Sequence, residues 1–522
     1  MKARRFLNLM IVSLVAMTYT SCSNSDDVID TPDPIVKTYT MSIEAQKGSN
    51  GTRALDLDGN TLNSTWTAGE TVKVYKDNAE LGTLTAQGDG ASTSLKGTLT
   101  GDLSVNDKLT LKYLSPNYNS QKGTIASISK NCDYSTATVT VSGIAGGNIS
   151  TTNANFENHQ AVIKFTLKDA DGKEFPSNPT SFRMTDGTST VTLTDIPDET
   201  YTTNGSGVLY VAFPASDASA TITLSATAGD AVYGFGKTGI TFEKGKYYGV
   251  TVKMKEIPVL NGKFTINASG DKVYFSKGNL QATYNTSWSW AFATNQWDYI
   301  GNAAGNTSIN GGGTISGTGT VDLFGWVGAA CAWTGAAQYG ISNVKQAAQY
   351  GYVEGEALKS DWGTLAITNG GNTANFGWHS LASGEWEYLF KTRTTPSGVR
   401  YAHATVNSVP GLVLLPDDWS TDYYSLNKVN DANGTAYTDN VISSSDWTSK
   451  LEAHGAVFLP AGGYRNGAEV SDAGVQGNYW SSTSSTTVSA IGFRFSSAKF
   501  GGGTQGFTRN RGCSVRLVYD AN

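Results

Sequence analysis

Through residues 39–256 apolar side chains recur at every second position far more often than at every third or fourth. Val162-Ile163-Lys164-Phe165-Thr166-Leu167 and Ala220-Thr221-Ile222-Thr223-Leu224 are short strands of this kind, and Gly207-Val208-Leu209-Tyr210-Val211-Ala212-Phe213 is an unbroken apolar one, all rich in β-branched or aromatic residues. Between them stand turn signals such as Asp169-Ala170-Asp171-Gly172-Lys173. A stretch of this length patterned this way predicts two β-sandwiches in tandem, over 38–150 and 151–257, divided at Gly146-Gly147-Asn148.

Beyond an Ile257-Pro258 linker the pattern changes. Of the 12 Trp residues only Trp66 precedes residue 260, and the other eleven lie between Trp288 and Trp480. Alternation persists in Ile491-Gly492-Phe493-Arg494-Phe495 and Cys513-Ser514-Val515-Arg516-Leu517, but helical spacing now joins it. Trp386, Leu389 and Phe390 fit a helix capped by Ser383, and Trp447 and Leu451 one capped by Ser445 and stopped at Gly455. An aromatic-packed α+β domain over 262–522 is expected, with Asn310-Gly311-Gly312-Gly313 and Gly501-Gly502-Gly503 as loops. So many Trp side chains in one domain must mostly be core.

The amino terminus reads as targeting. Lys2, Arg4 and Arg5 precede an apolar run from Phe6 to Met17, shorter than the roughly 20 residues that span a bilayer. Tyr19-Thr20-Ser21-Cys22 resembles a bacterial lipoprotein cleavage box, which implies a signal peptide over 1–21 and lipid on Cys22. Ser23-Asn24-Ser25-Asp26-Asp27 resembles the signal that carries such lipoproteins to the outer cell surface. Residues 22–37, polar and proline-containing, form a leash, so the expected location is the outer membrane, surface-exposed. Cys132, Cys331 and Cys513 are too scattered for a disulfide scaffold or a zinc cluster; a Cys331–Cys513 bridge and free buried thiols both stay open.

Residues 38–256 resemble the fimbrillin-like proteins of Bacteroides and Porphyromonas. The likeness is carried by Thr52-Arg53-Ala54, by Trp66-Thr67-Ala68-Gly69-Glu70-Thr71-Val72-Lys73-Val74-Tyr75, and by Phe242-Glu243-Lys244-Gly245-Lys246-Tyr247-Tyr248-Gly249-Val250-Thr251-Val252. Residues 264–520 resemble the FISUMP-type domains of the same bacteria, which look like C-type-lectin-fold relatives of formylglycine-generating enzymes. Here the matching stretches include Asp322-Leu323-Phe324-Gly325-Trp326, Ser383-Gly384-Glu385-Trp386-Glu387-Tyr388-Leu389-Phe390, Leu414-Leu415-Pro416-Asp417-Asp418-Trp419 and Tyr479-Trp480-Ser481-Ser482-Thr483. The first resemblance implies transthyretin-like sandwiches, cleavage after Arg53, loss of the first strand and donor-strand exchange with other fimbrial subunits. The second implies a lectin-like head. A head in the place of a donor strand implies a minor or tip fimbrial subunit that mediates adhesion to a host or bacterial surface glycan or protein. The alternative is a surface glycan-binding lipoprotein of a polysaccharide-uptake system.

Candidate ligand contacts in the head are the adjacent carboxylates Asp417 and Asp418 with Trp419, the strand residue Arg494, and Tyr479. Alternation sends Tyr479 and Trp480 to opposite faces of one strand, so both cannot lie in the same core. Trp480 is read as packing and Tyr479 as the more open side. The same two aspartates also suit local backbone capping. Asp56-Leu57-Asp58-Gly59-Asn60 imitates the start of a calcium loop, but its Gly is misplaced and Thr67 stands where a bidentate Glu belongs, which favours a polar hairpin. No metal and no cofactor is expected. The cysteine pair of the formylglycine-generating enzymes is missing, and His159, His379, His403 and His454 fall in no catalytic spacing, so no enzyme is expected. With a net charge of −6 and no basic stripe, nucleic acid is not an expected partner.

Overall fold

The computed structural model describes residues 37–47, 56–58, 61–63, 65–229, 231–315, 319–359, 361–431, 433, 435–497 and 499–521. It is mainly β, with 46% strand and 12% helix. Cys22 and Arg53 lie outside the described residues.

Between Thr38 and Asn158 eight strands form one sheet that closes on itself. Its order is Ala154–Asn158, Thr38–Lys47, Ser92–Thr100, Ala79–Ala86, Thr71–Lys76, Lys108–Tyr113, Ser135–Ala145, Asn148–Thr151. Closure comes from two further pairings, Ala154–Asn158 with Ser135–Ala145 and Thr38–Lys47 with Asn148–Thr151. Alternate residues of every strand point inward, so Met41, Leu84, Leu95, Leu111 and Val139 meet around Trp66 in one core. The expected division at Gly146-Gly147 is instead a hairpin turn inside this sheet, both glycines taking positive φ (56° and 78°) that side chains resist. The true passage is His159, which leads directly from one sheet into the next. Asp56–Asp58 pairs antiparallel with Thr61–Asn63, the backbone of a hairpin.

From Gln160 to Glu256 two sheets face each other. One is Val208–Pro214, Gln160–Lys168, Tyr247–Lys253; the other is Thr190–Leu193, Ser181–Thr185, Ser216–Ala228, Ala231–Phe242, Lys255–Glu256. Phe165, Phe182, Leu193, Val211 and Leu224 fill the space between. The first unit is fastened to the second by the helix Ile125–Asn131, whose Ile128 packs with Val162, Tyr210 and Ala212. Beside it the Gln121 side-chain amide donates to the Ala212 carbonyl (2.7 Å) and accepts from the Ala212 N–H (2.7 Å), mimicking a neighbouring strand.

The remainder holds several small sheets around two main cores. They lie on either side of the strand Gln476–Thr486. The first helix begins one residue earlier than expected. Ala382 is the cap, because Glu385 reaches back to accept from the Ala382 N–H (2.7 Å), and Ser383 is already helical. Trp386, Leu389 and Phe390 are buried as their spacing requires. The second starts at Ser443, whose hydroxyl accepts from the Asp446 N–H (3.0 Å), and it does stop at Gly455 (φ 81°). Gly501-Gly502-Gly503 is not a loop but lies inside the strand Lys499–Thr508, where its pairing with Ser489–Ser496 shifts register between Phe493↔Thr504 and Phe495↔Phe500. Ile257 and Val259 are packed into the head's core beside Val232 of the preceding unit, so the expected linker is a buried splice.

Candidate strand slot and ligand surfaces

The strand Thr38–Lys47 occupies a central place although it is the first element among the described residues. On one side it pairs antiparallel with Ser92–Thr100 from Thr38↔Thr100 to Gln46↔Ser92. On the other it runs parallel to Ala154–Asn158 and Asn148–Thr151. Tyr39, Met41, Ile43 and Ala45 are buried, and the residues between them are exposed. Removing this strand would open a slot with a hydrogen-bonding edge along each wall and an apolar floor. Its direction matters too. Lys47 stands level with Phe156, and the partner strand continues through His159 into the second unit. There an apolar groove of about 480 Å³ lies between Ala231–Phe242 and Tyr247–Lys253, lined by Phe235, Ile240, Phe242, Tyr248 and the exposed Val250.

The expected ligand residues do not converge. Asp417 is already committed: its carboxylate accepts from the Thr265 N–H (3.0 Å), the Thr265 hydroxyl (2.7 Å) and Arg393 Nη1 (3.0 Å). Burial alone would raise its pKa, but the Thr265 donors and the Arg393 guanidinium hold it below the ordinary carboxylate value. Asp418 is exposed, and Trp419 is buried in a core with Leu415, Trp447 and Phe458. Tyr479, expected at an open face, is fully buried: its ring stacks on Phe493 (5.1 Å), and its hydroxyl donates to the Pro460 carbonyl (3.0 Å) and accepts from Asn279 (3.1 Å). Trp480 is buried on the opposite face, donating to the Phe324 carbonyl (2.6 Å). The two rings do occupy different cores, but a second core covers the side that alternation left open. Arg494 is exposed, alternating with the buried Phe493 and Phe495. Cys132, Cys331 and Cys513 are free and buried, so no bridge joins the last two. Among the described residues no cluster of three or more His, Cys, Asp or Glu side chains is placed to hold a metal ion.

No family model matches this chain, and no curated protein matches it. Solved structures do share part of its architecture. They include a suggested cell adhesion protein from Bacteroides uniformis (12% identity, 43% of this chain and 97% of that one, TM-score 0.25). A fimbrial assembly protein from Parabacteroides distasonis is similar at 12% identity, covering 46% of this chain and 95% of that one, with TM-score 0.25. A fimbrial protein from Bacteroides ovatus aligns over 93% of this chain and 100% of its own at 11% identity, with TM-score 0.21. Values this low mark a partial likeness and carry no functional argument.

Two polar clefts fall where the units meet. One, of about 520 Å³, lies against Tyr134 and His159, whose rings stack at 4.9 Å. The other, of about 660 Å³, lies between the outer face of Ser181–Thr185 and Thr190–Leu193 and the head residues Lys272, His379 and Asp520. Across it Arg183 Nη2 meets the Asp520 carboxylate at 2.8 Å, and His379 Nε2 lies 3.5 Å from the other oxygen. Alternation at Thr190-Val191-Thr192-Leu193-Thr194 carries the signal for one wall, since it turns three hydroxyls to a single face. The facing wall comes from residues more than 70 positions away and has no local signature.

Proposed function

We propose that this chain is a cell-surface adhesion subunit of a fimbrial fibre, held by lipid on Cys22 and matured by cleavage after Arg53. The observation that carries this reading is the placement of Thr38–Lys47: a terminal strand, paired on both sides, with Arg53 six residues beyond its end. A cut there leaves the strand attached by non-covalent contacts alone. Another subunit's strand can then take the slot, gaining the same backbone pairing and the same apolar floor. Polar residues Gly48–Arg53 follow the strand and suit a protease-accessible connection. In this reading the two β units are fimbrillin-type sandwiches, and the 262–522 region is a lectin-like, non-enzymatic head displayed at the end of the fibre.

A fluorescent peptide of residues 37–47 tests the mechanism. Protein cut by an Arg-specific protease, with Ala54 as its new amino terminus, is expected to take up one equivalent of peptide. Uncut protein and Arg53→Ala treated with the same protease are expected to take up none. Uptake at equal rates by cut and uncut protein, or a correctly cut and folded protein that refuses the peptide, would overturn the proposal.

A further inference from the structure

We propose that the two junction clefts are the halves of one trough along Thr190–Leu193, and that the trough binds a neutral glycan chain. The clefts share Thr190, which lines both. Val191 and Leu193 point into the core of the second unit, and Thr190, Thr192 and Thr194 face outward. Successive outward hydroxyls are therefore roughly 7 Å apart and the row spans roughly 13 Å, a length suited to a few linked sugar rings. Among the described residues this strand pairs only with Ser181–Thr185, so it is an edge strand with one edge unpaired.

The lining matches the two needs of a sugar. At one end the stacked Tyr134 and His159, with Pro116 and Pro214, offer flat apolar surface to a ring face. Asn117 and Asn119 stand beside them with amides that both donate and accept. At the other end Asp271, Glu385 and Asp520 supply acceptors, and Lys272 and His379 supply donors, around the threonine hydroxyls. Charge is balanced: Arg183, Lys244 and Lys272 are matched in number by Asp271, Glu385 and Asp520, and Arg183 meets Asp520 at 2.8 Å, so no net positive floor favours an anionic polymer. An extended peptide added to the strand's free edge would need apolar sockets at alternate positions. The walls here are mostly hydroxyl, amide and charged groups instead. This site lies outside the head residues Asp418, Trp419, Tyr479 and Arg494, and it exists only while second unit and head are held together.

The test is binding of the full chain to neutral hexasaccharides of glucose, mannose, galactose, xylose and N-acetylglucosamine, measured by titration calorimetry. At least one is expected to bind. Thr192→Trp, which fills the half of the trough that faces the head, is expected to weaken that binding at least tenfold, and Tyr134→Ala to weaken it several-fold at the other end. Both variants are checked for an unchanged melting temperature; should Thr192→Trp not fold, Asn119→Ala with Tyr134→Ala reports on the same site. Failure of all five sugars to bind would overturn the proposal. So would binding that folded variants leave intact, or displacement of the sugar only by variants of Asp418 and Arg494. None of these outcomes touches the strand-uptake assay, which reads the first unit.

Discussion

Asp322 sits in the head with no cation beside it. It is 1% exposed, and its carboxylate accepts only neutral donors, the Ile300 N–H (2.7 Å) and Asn306 Nδ2 (2.7 Å). Burial outweighs those hydrogen bonds and raises its pKa from 3.8 to about 6. The sign follows from linkage. Well below pH 3.8 the group is protonated in folded and unfolded chains alike and carries no penalty. As pH rises the unfolded chain ionises first, so stability falls until about pH 6, where the folded group has ionised as well. The loss is on the order of 3 kcal/mol. Asp322→Asn removes the titration but keeps an acceptor for one donor. Its stability relative to the parent is therefore expected to improve steadily between pH 4 and 6 and to level off above, in urea midpoints taken across that range. A difference that stays constant with pH would show that Asp322 does not titrate in the folded head. Arg465 meets burial differently: it is equally enclosed, yet its guanidinium donates to the carbonyls of Leu323, Gly340, Ser342 and Gly467, so backbone dipoles stand in for a counter-ion.

The helix at Ser443 shows what one local bond is worth at the scale of an element. Its first α-helical turn covers only Ser444–Asp446 before the chain widens into the Trp447–Leu451 segment, so little besides the Ser443 hydroxyl holds the start. Ser443→Ala is expected to cost about 1 kcal/mol, read as a lower thermal midpoint, while Ser445→Ala should be close to neutral. Equal costs at the two serines would return the cap to Ser445. Strands were legible in the sequence in two ways: period-two burial is written in adjacent residues, as in Thr71–Lys76, and an unbroken apolar run marks Val208–Pro214, whose middle is buried on both faces. The closed order of the first sheet was not legible, since it depends on pairing Ala154–Asn158 with Thr38–Lys47 across more than a hundred residues. Gly501-Gly502-Gly503 was misread for a related reason: the pairs that carry the strand past it, Phe493↔Thr504 and Phe495↔Phe500, flank it and are set by a neighbour, not by propensity. Tyr479 was assigned to the right face and the wrong environment, because periodicity tells which side a ring leaves the strand but not whether a second core waits there. The trough was invisible for want of any marker that residues 183–194 and 271–272 share a boundary with 379–385 and 520.

At the scale of the whole molecule, the joint between second unit and head decides whether the trough has two walls. Ile257 and Val259 are buried in the head's own core, the Ile257 N–H donates to the Val232 carbonyl (2.7 Å), and Lys255 Nζ reaches the Gly371 carbonyl (3.0 Å). Close backbone approach adds to this: a Cβ on Gly236 would come within 2.7 Å of the Asn375 carbonyl oxygen, so only glycine lets these surfaces meet. Contacts of this kind behave as core and not as tether, which makes residues 160–521 one cooperative unit in thermal unfolding. Calorimetry is expected to show a single transition for this region, distinct from or merged with that of the first unit. Ile257→Asp places an unpaired charge in the shared core and is expected to split the transition in two, by several kcal/mol of lost coupling. Arg183→Ala removes only the half-exposed bridge to Asp520 and should leave one transition, slightly lowered. A parent protein in which the head melts apart from the second unit would mean that the splice is weaker than its burial implies. In that case the facing walls of the trough would separate before either unit unfolds, and glycan affinity would fall with temperature ahead of the first melting transition.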